Sequence, residues 1–138
     1  MMFFIDSNIF LYAFLSTKRK LKDSEKQLKE TSRKILKKID SGEKVATSVV
    51  HISEISNVLE SIAGKGDAQK AMTYLILNEN IEILEVNKSA LIMASDINKK
   101  HLIGLNDCIA IVLMQQNNIN KIYSADRHFD SFDWIERQ

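Results

Sequence analysis

Apolar and polar positions along the chain change period from block to block, between the two of a strand and the 3.6 of a helix. The opening run MMFFI is continuously apolar, as in a strand buried on both faces of a parallel sheet, and it ends on Asp6. Ser7 is a favourable N-cap, so a short apolar helix is predicted over residues 8–15. A second helix is predicted over 23–40, starting at Asp23 or Ser24 and stopped by Gly42. Its Leu28, Ile35, Leu36 and Ile39 fall on one side, leaving Lys29, Arg33, Lys34 and Lys37 for solvent. KVATS at 44–48 reads as a small strand running into a polar cap. Residues 49–62 give the clearest amphipathic helix, with Val50, Ile55, Val58, Leu59 and Ile62 at helical spacing and Gly64 as its stop.

The same reading continues to the C-terminus. Asp67 is expected to cap a helix reaching Leu77, and IEILEV at 81–86 is a strand. Asn87 or Ser89 starts a helix that ends near Lys100. After Gly104, Asn106 is expected to cap a helix carrying Asp107 and the apolar residues up to Met114. KIYSAD at 121–126 is a strand ending on a carboxylate, and FDWIE at 132–136 a short final strand. Strands alternating with helices in this way predict an α/β fold with a mostly parallel sheet.

The composition narrows the class. Proline, low-complexity linkers and repeats are all missing, so the 138 residues are expected to form one domain, 1–138, with an ordinary core. No apolar run approaches the roughly 20 residues of a membrane span, and MMFFIDS lacks a basic secretory start. The single cysteine, Cys108, cannot form an internal disulfide, which points to a reducing, cytoplasmic setting. The net charge of +1 conceals an asymmetry: Thr17 to Lys38 carries ten Lys or Arg against three Asp or Glu. A basic block on a mildly acidic body suits a partner that is a polyanion, although a solvated helix face would look the same.

Four acids interrupt apolar patterns. Asp6 and Asp126 end predicted strands, Asp107 lies in a first helical turn, and Glu54 sits in the helix at 49–62. In a parallel α/β sheet, strand C-termini and the following helix N-termini share one edge, so these side chains can converge. Each also has a plainer reading: Asp107 complementing a helix dipole, Asp126 in a turn, Glu54 solvated. Two carboxylates about 5 Å apart repel by roughly 3 kcal/mol at an effective dielectric near 20. A cluster of them either holds protons or takes a cation. Carboxylate oxygens with no Cys or His nearby select Mg²⁺ or Mn²⁺ over Zn²⁺. Such an ion beside a basic helix suggests cleavage of nucleic acid. His51, His101 and His128 are scattered and read as structural or solvated, and Asp130 as a turn residue.

FIDSNIF, SEISNVLE, GLNDCIAI and IYSADRHFD, in this order and at these intervals, resemble the acidic motifs of PIN-domain ribonucleases, and most of all the VapC-type toxins of toxin–antitoxin pairs. The resemblance spans the whole chain. It implies an α/β/α sandwich around a parallel sheet of about five strands, and it assigns Asp6, Glu54, Asp107 and Asp126 to an acidic pocket holding one or two Mg²⁺ or Mn²⁺ ions. Ser7, Asn8 and Ser124 match the family's polar neighbours, with Asn8 expected to steady a carboxylate. The resemblance further implies an RNA substrate cut to a 3′-hydroxyl and a 5′-phosphate, a homodimer, and an antitoxin that blocks the cleft. A groove near Phe10, Tyr12 and Phe14 is one place for that partner. The Lys-rich stretch after the first helix is longer than in compact relatives. Competing readings are a receiver-like phospho-accepting domain, a non-catalytic binding module, and an RNA-processing nuclease outside toxin–antitoxin systems.

Overall fold

Every strand pairing among the described residues is parallel, so successive strands are joined by crossovers, and helices cover both faces of the sheet. The computed structural model describes residues 2–15 and 21–138. Five strands lie among them: β1 (Phe3–Ile5), β2 (Val45–Ser48), β3 (Ile81–Leu84), β4 (Lys121–Tyr123) and β5 (Glu136–Arg137). Their order is β3-β2-β1-β4-β5. Six helices connect them: α1 (Ser7–Phe14), α2 (Asp23–Asp40), α3 (Val49–Ala63), α4 (Lys65–Leu77), α5 (Lys88–His101) and α6 (Leu105–Gln116). This is the α/β fold with a parallel sheet that the alternating pattern predicts, layered as the α/β/α sandwich that the resemblance implies. The start of the basic stretch, 17–20, lies outside the described residues.

Alternation along the strands divides the core in two. Phe4, Ala46 and Ile122 face α5 and α6, whereas Ile5, Val45, Ile81 and Tyr123 face α1 to α4. Cys108 to Met114 of α6 are all buried, which explains why this helix reads as apolar nearly all round. The central strand β1 pairs with β2 on one side and β4 on the other. The direction of winding therefore reverses at the C-terminal end of β1, and Asp6 stands at that switch point.

The elements differ from expectation mainly at their ends. In KIYSAD only Lys121–Tyr123 pair, and Ser124, Ala125 and Asp126 have left the sheet. The final strand begins at Glu136 instead of Phe132, because a short 3-10 helix at Arg127–Ser131 buries Phe129 and delays pairing. Asp6 occupies the cap position of α1 in place of Ser7, whose buried hydroxyl donates to the His51 carbonyl at 3.5 Å. Asp67 lies in the first turn of α4 and does not cap it, since Gly64, at φ 88°, turns the chain directly from α3 into α4. Gly104 takes the cap position of α6, which frees the Asn106 side chain for another task.

Lys29, expected in solvent, is only 4% exposed. Its ammonium group donates to the Leu15 carbonyl and, at 3.2 Å, to that of Tyr12. These carbonyls lie at the C-terminal end of α1, where positive charge is favourable. The aliphatic stem packs between the helices while the charged head finds backbone partners, so burial costs less than for an unpaired cation. Burial, followed by the Arg33 charge, shifts the Lys29 ammonium below its ordinary range.

Replacing Lys29 with Ala removes both of these hydrogen bonds and the packed stem, and is expected to lower stability by about 2 kcal/mol. Urea unfolding checks this, and an unchanged midpoint would show that the contact contributes nothing.

Candidate functional site

The carboxyl edge of the sheet opens into a cleft of 460 Å³ lined by Asp6, Asn8, Glu54, Gly104, Leu105, Asn106, Asp107 and Asp126. All four acids singled out in the sequence therefore line one cavity. They arrive by different routes: Asp6 from the end of β1, Glu54 from the second turn of α3, Asp107 from the first turn of α6, and Asp126 from the loop beyond β4. Neighbouring strand ends and helix starts place them together, although they are up to 120 positions apart in sequence.

Asp6 is the deepest, at 5% exposure. Its Oδ2 accepts the Ser124 hydroxyl at 2.8 Å, and that hydroxyl oxygen accepts the Asp126 backbone N–H at 3.0 Å. One serine thus holds one acid directly and fixes the backbone of a second. Asp126 also accepts the His128 N–H at 2.9 Å, capping the 3-10 helix. Across the cleft the Asn106 amide donates to a Glu54 carboxylate oxygen, joining α6 to α3.

Burial raises the Asp6 carboxyl to about 6; the Ser124 hydrogen bond opposes this, and the Glu54 and Asp126 charges add to it. Burial likewise raises Asp107 to about 7, reinforced by the charges of Asp6 and Asp126, a hydrogen bond with Asp126, and the Glu54 charge. Near neutrality the cleft therefore either retains protons or attracts a cation. One donor atom each from Asp107, Asp126 and His128 lie within 4.8 Å of one another, close enough to share an ion.

His128 is a departure from the sequence reading, which placed no histidine beside the acids. Its Nδ1 lies 3.0 Å from Asp126 Oδ1, and the ring is largely exposed. The other two histidines serve structure or solvent as expected. His51 is buried, with Nδ1 2.5 Å from the Ser48 hydroxyl, and burial drives it down to about 4, so it stays neutral. His101 packs against Phe132. Asp130 is ion-paired with Arg137 and does not line the cleft, which agrees with its reading as a turn residue.

The polar neighbours are partly reassigned. Ser124 lies against the acids, its hydroxyl on Asp6 and on the Asp126 backbone. Asn8 is exposed in the cleft and makes no hydrogen bond to a carboxylate among the described residues, while Ser7 points at the His51 carbonyl. The asparagine that steadies a carboxylate is Asn106, which the sequence suggests as a cap. Its place directly before Asp107 is the one signal that could have identified it. Of the aromatic residues expected near a partner groove, Phe10 is fully buried. Phe14 lines a separate apolar cavity of 310 Å³ with Leu59, Ala71 and Tyr74. No helix among the described residues is long and apolar enough to cross a membrane.

Comparison with known proteins gives a consistent picture. The PIN domain family profile matches residues 3–135. Ribonuclease VapC6 of Methanocaldococcus jannaschii is 33% identical over 86 residues, which is 62% of this chain and 52% of that protein. The chain thus spans about half the length of this curated relative. The fold is similar to Mycobacterium tuberculosis VapC20, described as a sarcin–ricin loop cleaving toxin, with a TM-score of 0.76 and 15% identity over 95% of this chain and 94% of that one. It is also similar to VapBC2 of Rickettsia felis, solved bound to a promoter DNA fragment, with a TM-score of 0.68 and 15% identity over 100% and 98% of the two chains. A toxin–antitoxin complex from Klebsiella pneumoniae gives 0.65 at 11% identity, over 97% and 95%.

Because Asp6 and Asp107 titrate higher in the folded chain than unfolded, the folded state holds more protons between pH 3.8 and about 7. Stability without divalent ions should therefore fall as pH rises through that window. Asp6→Asn should flatten the slope and stabilise the metal-free protein at pH 7.5 by about 2 kcal/mol. Urea midpoints measured in EDTA test both, and a profile indifferent to the substitution would contradict the assignment.

Proposed function

The chain belongs to the PIN domain family, and on that premise we propose that it is a divalent-metal-dependent endoribonuclease and the toxin of a toxin–antitoxin pair. The observation that carries the reading is the meeting of Asp6, Glu54, Asp107 and Asp126 in one cleft, with two of them driven up by burial and mutual charge. That donor set fits a hard cation, because a divalent ion relieves the same repulsion that otherwise retains protons. Asp6, Asp107 and Asp126 would hold it, with Glu54 assisting, and Mg²⁺ or Mn²⁺ is the proposed ion. Bound there, the ion supplies charge neutralisation for the oxygens of a phosphodiester and acidifies a water nucleophile.

The protein's own part is positioning. The Ser124 hydroxyl holds Asp6 Oδ2 and the Asp126 backbone, and Asn106 holds Glu54, so the acids keep their arrangement despite mutual repulsion. Hydrolysis forms a bond from the water oxygen to phosphorus as the P–O3′ bond breaks, leaving a 3′-hydroxyl and a 5′-phosphate. No side-chain nucleophile is required. The basic surface of α2, with Lys26, Arg33, Lys34, Lys37 and Lys38 exposed, suits the long-range attraction of an RNA backbone. The likeness to VapC6 supports RNA as substrate, and the likeness to the Rickettsia and Klebsiella proteins supports an antitoxin as partner. A homodimer and a cytoplasmic location complete the proposal. Family membership displaces the receiver-like reading.

Asp6→Asn and Asp107→Asn should each reduce Mn²⁺-dependent cleavage of single-stranded RNA by at least about 100-fold while the protein remains folded. EDTA should abolish cleavage by the unaltered protein. Gel assays with circular dichroism as the folding control decide it, and full activity in either variant would refute the assignment.

A further inference from the structure

Ser124 has all of its polar groups engaged at the point where β4 leaves the sheet. Its N–H donates to the Gln138 carbonyl at 3.4 Å, and its hydroxyl joins Asp6 to the Asp126 backbone. Its carbonyl accepts from Arg137 Nη1 at 3.2 Å. The same guanidinium sends Nε and Nη2 to the two oxygens of Asp130, at 2.9 and 3.0 Å. Asp130 lies on the 3-10 helix that follows Asp126, so the three nitrogens of Arg137 grip both sides of the loop carrying that acid. Asp130 is held below the ordinary carboxylate range by its hydrogen bond to Arg137. A solitary ion pair at the surface contributes little. This one is bidentate, and its third nitrogen reaches the residue whose hydroxyl organises the cleft.

We infer that Arg137, braced by Asp130, is a positioning residue for the acidic cleft, acting through Ser124. The inference rests on the proposed metal site. Arg137 does not line the cleft and touches none of the four acids; it fixes the backbone from which the Ser124 hydroxyl reaches Asp6 and the Asp126 N–H. Without that grip the loop carrying Ser124 and Asp126 loses its side-chain tie to β5 and keeps the backbone pairing and the buried Phe129. Lys at this position keeps the charge but cannot serve Asp130 bidentately and the Ser124 carbonyl together.

The test is Mn²⁺ titration calorimetry on the full chain without RNA, for the unaltered protein, Arg137→Gln, Arg137→Lys, Ser124→Ala and the Arg137→Gln/Ser124→Ala double variant. Arg137→Gln is expected to weaken Mn²⁺ binding by about tenfold, with a partial loss for Arg137→Lys. RNA cleavage by Arg137→Gln should show a lower kcat at nearly unchanged KM. The double variant should bind no more weakly than Ser124→Ala, because both changes break one chain of contacts. Equal Mn²⁺ affinity in Arg137→Gln, or losses that simply add in the double variant, would overturn the inference while leaving the metal site standing. If Arg137→Gln fails to fold, the Asp130→Asn variant takes its place and must show the same loss at an unaltered melting temperature. No Mn²⁺ uptake by the unaltered protein would overturn both readings.

Discussion

Mutual repulsion among carboxylates held at one edge of a parallel sheet is the constraint on which the rest of this protein turns. Burial and the charges of Glu54 and Asp126 raise the proton affinity of Asp6, and burial and the charges of Asp6, Asp126 and Glu54 raise that of Asp107. The fold must hold the acids together against that repulsion. It does so with neutral donors. A serine hydroxyl, an asparagine amide and backbone N–H groups stabilise the charged forms without supplying a competing positive charge inside the cleft. Arg137, the nearby cation with defined contacts, is turned outward to Asp130 and to a carbonyl. A lysine or arginine among the acids would neutralise the cleft permanently. Among the described residues none lines the cleft, which leaves the negative charge available to a mobile cation.

The parallel sheet makes this arrangement possible. Because β1 lies between β2 and β4, the crossovers place the starts of α1, α3 and α6 around the same end of the sheet. The two apolar layers then lock the helices at fixed positions, with Phe4, Ala46 and Ile122 on one side and Ile5, Val45 and Tyr123 on the other. Side chains in such layers pack as densely as in a crystal, which leaves the acids little room to move apart. The site is thus strained electrostatically and supported by packing.

Lys29 shows how charge and packing divide elsewhere in the molecule. α2 carries the most lysine and arginine of the described helices, yet one of its lysines is turned inward to close the C-terminus of α1. The remaining cations stay on the exposed side, where they create a field over the surface without entering the core. α1 consequently carries Asp6 at its beginning and a buried ammonium at its end. The helix that starts at the active edge is anchored at its opposite end by a charge.

The primary sequence alone determined the α/β class, the parallel sheet, the helix cores and the four acids. These follow from local periodicity and from carboxylates placed where apolar runs end, and both are properties of neighbours in the chain. The extent of α2, Asp23–Asp40, was legible from its apolar stripe and the glycine beyond its end, although the residues that cap it are Lys22 and Ser41 and not the Asp23 or Ser24 that the sequence suggests. Only the tertiary structure decided which polar residue serves which acid. Asn106 reaches Glu54 across 52 positions, Ser124 reaches Asp6 across 118, and His128 comes beside Asp126 through a 3-10 turn that no periodic pattern announces. The direction of Lys29 was decided in the same way, by carbonyls on a different helix. A side chain's partner depends on which backbone groups the packed fold leaves unsatisfied, and that is not a local property of the chain.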